Sequence, residues 1–528
     1  MVDLLLDGAR VVDGTGAPWF EGAVAVGGGR IEAVHRGEEG LPEARTTVDV
    51  GGDVVCPGVI DTHSHADLEL FRDPALSPKT RQGVTTEVLG QDGFSVAPVS
   101  GDRVDEWRRQ LGPLAGEVDR EWSWRSVPEY LDAVEDGGIG PNVATLVGHG
   151  TVRHEVMGMA DRAPDEAELA EMERLVDRAL EGGAIGFSTG LVYTPQTYAG
   201  TDEVERLAGR LAPYGRPFVA HIRSERSRIW AAMDEFVDVG AEQGIPLHLS
   251  HFKMGGPPQH GQADRGIALL EAARDRGVDI TAEVYPYTAS STTLTYVLPP
   301  WVYADGPDAA LAHLADEETR RRIRRDVREY RIEEWENPGA YSGWENIVIT
   351  QAEQHRELEG ESVAHVADVW DTDPVLAVCD LLLENELQVS IVNHFLAERD
   401  VREILGSERV NVASDGLFGG KPHPRVYGTF PRVLGRYTRD ENLLSMEEAV
   451  RKMTALPARA MGLGRKGVLR PGMDADLVVF DPDVVSSPAT FDSPRQYPQG
   501  ISHVLVNGEF VVRDGDGTTA RPGTAIRP

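Results

Sequence analysis

The middle of the chain alternates between short apolar segments and longer amphipathic ones, and this alternation restricts the fold more than any other feature. The short segments have the length and composition of buried strands. In order they are residues 54–61, 83–90, 142–149, 184–189, 217–222, 246–251, 279–285 and 410–414. Helical periodicity fills several gaps, as in 164–180, which ends before Gly182-Gly183. Eight strands alternating with helices predict an α/β fold with a (β/α)₈ TIM-like barrel. We predict that this barrel is metal-dependent because of the strand-end residues described below.

Both ends of the chain differ from the middle, because they read as short strands separated by glycine-rich turns. Such segments occupy 4–35 at one end and 475–482 and 500–515 at the other. Two ends of matching character predict one small β-sandwich domain formed from both termini, residues 1–56 and 465–528. The barrel then takes residues 57–464.

The alternation breaks between residues 288 and 344. A proline- and tryptophan-rich segment, LPPWVYADGP, leads to a strongly charged helix predicted over 315–334. Insertions on the catalytic face of a barrel often act as lids, so we predict an inserted lid-like segment at about 288–344. Two more strand candidates, 346–350 and 389–394, leave the numbering of the last barrel strands open.

The net charge of the 528-residue chain is −34, and such a field repels nucleic acid and anionic membranes. No apolar run reaches the roughly 18 residues that span a bilayer. The N-terminus lacks the pattern of a signal peptide. The two cysteines, Cys56 and Cys379, form no disulfide framework. We therefore expect a cytoplasmic protein that binds neither nucleic acid nor membrane.

Polar residues follow the predicted strands at the ends where a barrel carries its chemistry. They are His63 and His65 in DTHSH, Asp92 in QDG, His221 in HIRSE, His251 in LSHFK, and Asp415 in ASDG. Imidazole nitrogens and carboxylate oxygens are ligands that zinc accepts. Any one of these residues alone is weak evidence, but together they predict a site for one or two divalent metals.

Other histidines receive lesser roles. His248 is an odd number of residues from His251, so in a regular strand it faces the other way, packed behind the barrel. His149 and His394 are left open between a place in the pocket and a structural role.

The ordered set of HxH, then His, His and Asp, resembles the amidohydrolase superfamily. Longer segments resemble the N-acyl-D-amino-acid deacylases (D-aminoacylases): PGVIDTHSHAD, GFSTGLVYTPQTYA (186–199), AHIRSE, LSHFK, VYPYTASST (284–292), HPRVYGTFPRVLGRY (423–437) and MTALPARAMGL (453–463). The resemblance runs along nearly the whole chain. It implies a zinc enzyme with a (β/α)₈ barrel and a β-sandwich formed from both termini.

The resemblance also implies roles for the site residues. Asp92, His221 and His251 would hold one tight Zn²⁺, and His63 and His65 would bind a second or weaker ion or help to orient the first. The family typically has a cysteine ligand where this chain has Asp92, and a carboxylate can bridge two metals. Whether one ion or two are bound is therefore open. Asp415 would take a proton from water and pass it to the leaving nitrogen.

Five further residues would contact the substrate. Lys253 lies two residues after His251, and Arg425 offers a two-pronged donor for a carboxylate. Alternatives are a surface position for Lys253 and a structural ion pair for Arg425. The remaining three lie in segments that supply substrate contacts in the resembled family: Tyr193, Tyr285 and Ser291.

We therefore predict a zinc-dependent hydrolase that cleaves small-molecule N-acyl-D-amino acids to a carboxylate and a free D-amino acid. The D-stereochemistry follows from the resemblance alone. One alternative is another amidohydrolase-fold amidase or dipeptidase. A hydantoinase is disfavoured because the fourth strand ends in Ser188-Thr189-Gly190 with no lysine nearby. A non-catalytic scaffold is disfavoured because the ligand set is complete. The side-chain preference and the oligomeric state stay unknown.

Overall fold

A computed structural model describes residues 1–37, 39–116, 118–329, 332 and 335–528. In these residues the strands are β1 (Val2–Val11), β2 (Phe20–Gly27), β3 (Arg30–Arg36), β4 (Ala44–Asp49), β5 (Val54–Pro57), β6 (Val59–Asp61), β7 (Val84–Leu89), β8 (Asn142–Thr145), β9 (Val147–Gly148), β10 (Phe187–Gly190), β11 (Phe218–His221), β12 (Leu247–Leu249), β13 (Ile280–Val284), β14 (Ala289–Thr293), β15 (Ile347–Ala352), β16 (Val389–His394), β17 (Val410–Val412), β18 (Leu477–Phe480), β19 (Ile501–Val506), β20 (Glu509–Arg513) and β21 (Asp516–Gly517).

The α-helices of the same residues are α1 (Glu69–Arg72), α2 (Ser77–Thr80), α3 (Val104–Ala115), α4 (Val127–Asp136), α5 (His149–Met157), α6 (Glu166–Glu181), α7 (Thr201–Ala208), α8 (Ile229–Gln243), α9 (Ala263–Asp275), α10 (Pro307–Ala315), α11 (Glu317–Glu329), α12 (Pro338–Ser342), α13 (Val363–Val369), α14 (Pro374–Glu384), α15 (Glu398–Gly406), α16 (Arg425–Arg432), α17 (Met446–Met453) and α18 (Ala455–Ala460).

Parallel strands from the middle of the chain form a ring. β6, β7 and β8 pair in that order, and β9, β10, β11, β12, β13 and β17 form a second parallel run. β8 and β9 are successive parts of one chain segment, broken only at Leu146. The ring closes where Ser64 pairs with Gly416 and the Asp415 N–H donates to His63 O at 2.9 Å. This arrangement agrees with the predicted fold class, and it brings the C-terminal ends of all these strands to one face.

A buried lysine reinforces the closure of the ring. Lys79 Nζ donates to Asp61 Oδ2, at the end of β6, and to Ser414 Oγ, just after β17, both at 2.5 Å. The Ser414 N–H donates to Asp61 Oδ1 at 2.9 Å. All three side chains are fully buried. The first and last strands of the ring are thus joined by a charge-assisted network.

The two ends of the chain share one sheet, in the order β21-β20-β19-β18-β5-β1-β2-β3, with β4 also paired to β1. Its apolar core mixes both ends and includes Leu6, Val24, Leu477 and Leu505. The boundaries proposed from the sequence, 1–56 with 465–528 around 57–464, stay predictions.

The predicted strand 54–61 is divided between this sheet and the ring. β5 belongs to the terminal sheet and β6 begins the ring, with Gly58 between them. A Cβ on Gly58 would lie 2.1 Å from Thr85 Oγ1, so only glycine allows the chain to pass there.

The chain between β13 and β17 leaves the ring and forms a unit of its own. β14, β16 and β15 make a separate antiparallel sheet. Its core is distinct from that of the ring and includes Leu294, Val302, Ile349, Val378 and Ile391. The two extra strand candidates of the sequence are therefore β15 and β16 of this unit. The unit continues beyond residue 344 to the end of β16, so the predicted lid-like range 288–344 covers its first part.

Helix boundaries follow local signals. The helix predicted over 164–180 is α6, which begins after Asp165. The Asp165 side chain accepts hydrogen bonds from the N–H groups of Ala167 and Glu168, and Gly182 follows the last turn. The charged helix predicted over 315–334 is α11, and residues 330, 331, 333 and 334 of that prediction lie outside the described residues. No helix in the described part of the chain has both the length and the apolar character that a bilayer crossing needs.

Lys79→Ala tests the closure network. We expect the free energy of unfolding to fall by about 3–5 kcal/mol, because Asp61 is left as a buried charge without its cation. Urea denaturation of both proteins under matched conditions measures the change. Arg45→Ala is the control, since the Arg45 side chain is 69% exposed in its ion pair with Asp3; its effect should stay within about 0.5 kcal/mol. Equal effects of the two substitutions would contradict the closure role.

Candidate metal centre

Asp92 lies at the centre of the predicted site, and its two carboxylate oxygens face two different pairs of histidines. Oδ2 is 3.5 Å from His63 Nε2 and 3.6 Å from His65 Nε2. Oδ1 is 3.7 Å from His221 Nδ1 and 3.4 Å from His251 Nε2. All five side chains are buried. One carboxylate therefore joins two sets of ligand atoms.

Asp415 completes the set around His63 and His65. Its Oδ1 is 3.6 Å from His63 Nε2 and 3.4 Å from His65 Nε2. The two sets, within each of which the ligand atoms lie within 4.8 Å of one another, are His63, His65, Asp92 and Asp415, and Asp92, His221 and His251. All six residues predicted at the strand ends are thus brought together.

The separations suit ligands of a common ion. Direct N–H···O bonds are usually about 2.7–3.2 Å long. Two ligands at about 2.0–2.1 Å from a tetrahedral zinc ion lie about 3.3 Å apart. Furthermore, His63 Nε2, Asp92 Oδ1 and His221 Nδ1 are buried and have no hydrogen-bond partner among the described residues. Buried polar atoms rarely stay unpaired, so these atoms fit a bound divalent cation.

Three of the site residues have a left-handed backbone. The φ angles are 55° at Asp92, 33° at His251 and 51° at Asp415. Outside glycine this conformation costs about 1–3 kcal/mol, and such strain concentrates at functional sites. Hydrogen bonds hold two of these residues: Gln196 Nε2 donates to Asp92 O at 2.9 Å, and Asp415 N donates to His63 O. The strained turns aim the side chains across the mouth of the ring.

Glu283, on β13, lies beneath the site and orients His63. Its Oε1 is 2.6 Å from His63 Nδ1, while Oε2 accepts from Thr62 Oγ1 and is 3.0 Å from His248 Nε2. Burial opposes ionisation, but the interactions of Glu283 with His63 and His248 outweigh it and hold the pKa of Glu283 below its usual range. With Nδ1–H donated to Glu283, His63 presents the lone pair of Nε2 to a metal.

Arg425 lies behind Asp415. Its Nη1 is 2.9 Å from Asp415 Oδ2, and its Nη2 donates to Ser291 O at 3.1 Å. Burial favours the neutral acid, but the Arg425 guanidinium outweighs it and keeps the pKa of Asp415 well below its usual range. Of the two alternatives for Arg425, the ion pair is the contact present. It leaves Oδ1 of a charged Asp415 facing the histidines.

The other residues predicted to contact substrate surround a small cavity beside the metal ligands. Lys253, Tyr193 and Ser291 line it. Lys253 Nζ donates to Glu225 Oε1 and lies 2.7 Å from His251 Nδ1, and Tyr193 Oη is 2.9 Å from Thr292 Oγ1. Lys253 is therefore buried at the site and does not lie on the surface.

Tyr285 lies under this group, and its ring centroid is 5.7 Å from Lys253 Nζ. Its hydroxyl is buried and has no hydrogen-bond partner within the described part of the chain. Burial raises the pKa of the Tyr285 phenol well above its usual range. The hydroxyl therefore stays protonated and able to donate.

The cavity has a volume of about 30 Å³, which holds about two water molecules. Tyr296 of the inserted unit, Phe395 directly after β16 and Leu114 of α3 also line it. A larger cavity of about 880 Å³ lies between the terminal sheet and the opposite end of the ring, and none of the six strand-end residues lines it.

Comparison with known proteins agrees with this geometry. Residues 46–512 match a model described as amidohydrolase family. The chain is 36% identical to an N-acyl-D-glutamate deacylase from Alcaligenes xylosoxydans xylosoxydans, covering 100% of this chain and 96% of the relative. This chain belongs to the amidohydrolase family, in the D-aminoacylase branch. The resemblance seen in the sequence is confirmed.

Two solved structures of D-aminoacylase-branch proteins superpose over 100% of both chains. One is N-acyl-D-glutamate deacylase from Bordetella bronchiseptica, complexed with zinc and a phosphonate mimic of the tetrahedral intermediate, with 36% identity and a TM-score of 0.84. The other is a D-aminoacylase studied for its binuclear metal centre, with 34% identity and a TM-score of 0.83. A metal-dependent hydrolase of this type accounts for the ligand set in the present chain.

The sequence analysis missed one residue that orients a ligand of this amidohydrolase site, Glu283. Glu283 sits in the apolar strand segment ITAEV, where a lone charge is a usable signal. The prediction for His248 is wrong: its ring contacts Glu283 inside the ring of strands. The spacing argument assumed an extended chain through His251, but β12 ends at Leu249. His149 is bound to Glu203 at 2.8 Å, a structural contact, and the His394 ring packs 4.7 Å from that of Phe491.

Asp92→Ala tests whether one carboxylate serves both ligand sets. We expect the variant to lose the tightly bound metal, because each set loses a member. Elemental analysis after dialysis against chelator-free buffer measures the metal content. Asp177→Ala is the control, because Asp177 pairs with Arg210 on the surface. A metal content in Asp92→Ala equal to that of the wild type would remove Asp92 from the centre.

Proposed function

We propose that this protein is a zinc-dependent hydrolase that cleaves the amide bond of N-acyl-D-amino acids, releasing a carboxylate such as acetate and a free D-amino acid. The observation that carries the proposal is the Asp92 carboxylate between two histidine pairs, with Asp415 facing one of them. Full-length similarity to a deacylase of N-acyl-D-glutamate supports the substrate class.

We propose one tight zinc ion at Asp92, His221 and His251, with a second, weaker position at His63 and His65. The assignment rests on the ligand types, which are nitrogen and oxygen donors that zinc accepts. When bound, zinc lowers the pKa of water to about 7 and polarises a carbonyl oxygen.

Asp415 serves as the proton carrier in the proposed reaction. Oδ1 accepts the proton of the attacking water and then gives it to the amide nitrogen as the C–N bond breaks. The Arg425 guanidinium on Oδ2 keeps the carboxylate charged before attack and fixes its direction.

The substrate's α-carboxylate needs buried positive charge and donors. Lys253 supplies the ammonium, and the unpaired hydroxyl of Tyr285 supplies a donor beside it. Ser291 and Tyr193 form the adjoining wall. A substrate whose α-carboxylate meets these groups places its amide carbonyl at the metal ligands. This is the positioning that hydrolysis requires. We assign Arg425 no direct contact with the substrate: it acts through Asp415, whose Oδ2 it contacts.

Paired enantiomers test the substrate class. Zinc-loaded protein assayed with N-acetyl-D- and N-acetyl-L-methionine should hydrolyse the D-form and leave the L-form essentially intact, with release of free amino acid as the readout. A chiral site discriminates because only one hand places the amide on the metal while the α-carboxylate meets Lys253. Equal turnover of the two, or none with a panel of N-acetyl-D-amino acids, would refute the proposal.

Asp415→Asn tests the proton carrier. The change keeps the shape of the side chain but removes its basicity, so we expect kcat to fall about 10²- to 10⁴-fold. Elemental analysis should find the tight zinc retained, since Asp415 lies outside the Asp92, His221 and His251 set. Asp440→Asn, at a side chain that is 55% exposed, is the matched control and should leave kcat unchanged. Full activity in Asp415→Asn would exclude the assigned role.

A further inference from the structure

Glu225 contacts several residues of the site and has no role so far. It lies in the loop after β11, four residues beyond His221, and its side chain is 11% exposed. One oxygen, Oε1, is 3.0 Å from His251 Nδ1. The other, Oε2, is 3.7 Å from His221 Nε2.

These contacts fall on the outer nitrogens of both histidines. His221 points Nδ1 at Asp92 and Nε2 at Glu225, and His251 points Nε2 at Asp92 and Nδ1 at Glu225. A neutral imidazole offers a lone pair on one nitrogen only when the other carries the proton. A carboxylate that accepts the outer N–H therefore fixes which nitrogen faces the metal.

Lys253 shares the same carboxylate. Its Nζ donates to Glu225 Oε1, the oxygen that also faces His251. In the tautomer that leaves His251 Nε2 free for a metal, Nδ1 carries the proton. That N–H and the Lys253 ammonium, whose nitrogens are 2.7 Å apart, then both point to Glu225 Oε1. Glu225 thus sets the spacing between a metal ligand and the ammonium proposed to bind the substrate's carboxylate.

The inserted unit holds the loop that carries Glu225. Glu336, 5% exposed, accepts from Ser224 Oγ and from the Arg226 N–H at 3.1 Å, the residues on either side of Glu225. Its Oε2 is also 3.2 Å from Arg226 Nη1. On the far side, the Gly255 N–H donates to Glu225 O at 2.9 Å.

We propose that Glu225 is a positioning residue that orients His251 for the metal and Lys253 for the substrate, and that Glu336 of the inserted unit holds it in place. The second oxygen of Glu225, 3.7 Å from His221 Nε2, places negative charge beside that histidine without a direct hydrogen bond. The part that concerns Lys253 rests on the proposed function. The part that concerns the histidines does not.

Zinc binding measured with the metal alone is the main test. Glu225→Gln keeps the size of the side chain but weakens it as an acceptor for two cationic or N–H donors. Chelator competition should show a Zn²⁺ affinity about 10- to 100-fold lower than that of the wild type. Glu336→Gln, which lies outside the ligand sphere, should lower it by a smaller factor of about 2- to 30-fold. Glu235→Gln is the matched control, because Glu235 pairs with Arg223 and touches neither histidine; its affinity should stay within twofold.

A second variant separates positioning from charge balance. If Glu225 only neutralises Lys253, then Glu225→Gln combined with Lys253→Met should bind zinc as tightly as the wild type. The proposal requires the double variant to bind zinc weakly, because the outer nitrogen of His251 still lacks its carboxylate acceptor. The visible spectrum of the Co²⁺-loaded proteins gives an independent readout, and it should change in Glu225→Gln but not in Glu235→Gln.

The outcomes are distinct. Wild-type zinc affinity in Glu225→Gln, full recovery in the double variant, or equal weakening in Glu235→Gln would each overturn the positioning role. If Glu225→Gln does not fold, Glu336→Gln carries the test, and an unchanged affinity there would overturn the proposed hold from the inserted unit. A wild-type protein without activity on any N-acyl-D-amino acid would refute the proposed function, while the zinc measurements would still decide the role of Glu225 at the histidines.

Discussion

The Asp92 carboxylate is the interaction on which the site depends, because each of its oxygens faces a different pair of histidines. The resembled family typically has a cysteine at this position, and a thiolate offers a single donor atom. A carboxylate offers two oxygen donors that point in different directions, and it prefers harder cations. Burial would favour the neutral acid, yet the neighbouring His63 and His251 outweigh it and keep the pKa of Asp92 well below its usual range. The chain thus keeps a permanent anion at the mouth of its ring of strands.

Much of the fold and of the site could be predicted from the sequence, because parallel strands end on one face. That rule predicts one cluster made of the six strand-end residues His63, His65, Asp92, His221, His251 and Asp415. In the structure they lie together. It needs only the order of strands and the residue after each one. The helix after Asp165 was equally accessible, because its cap and its glycine stop are local signals.

The rest depended on backbone directions that periodicity does not contain. His248 was misplaced because β12 ends two residues before His251, whose left-handed backbone resets the side-chain direction. Glu225 contacts the outer nitrogen of His251 and Glu283 that of His63, and only three-dimensional contacts identify such partners. The insertion extends to β16 because β14 pairs with that strand across about a hundred residues, a long-range pairing that no local pattern specifies.

The inserted unit has a core separate from that of the ring, and this has a consequence for how the protein can vary. Tyr296, within the unit, and Phe395, directly after β16, line the cavity beside the metal ligands, which themselves come from the ring and its loops. Substitutions in the unit's apolar core, away from Glu336, can therefore change the shape of this cavity without replacing a metal ligand. Natural or engineered variation in this unit can therefore change which molecules the cavity accepts while the metal ligands stay the same.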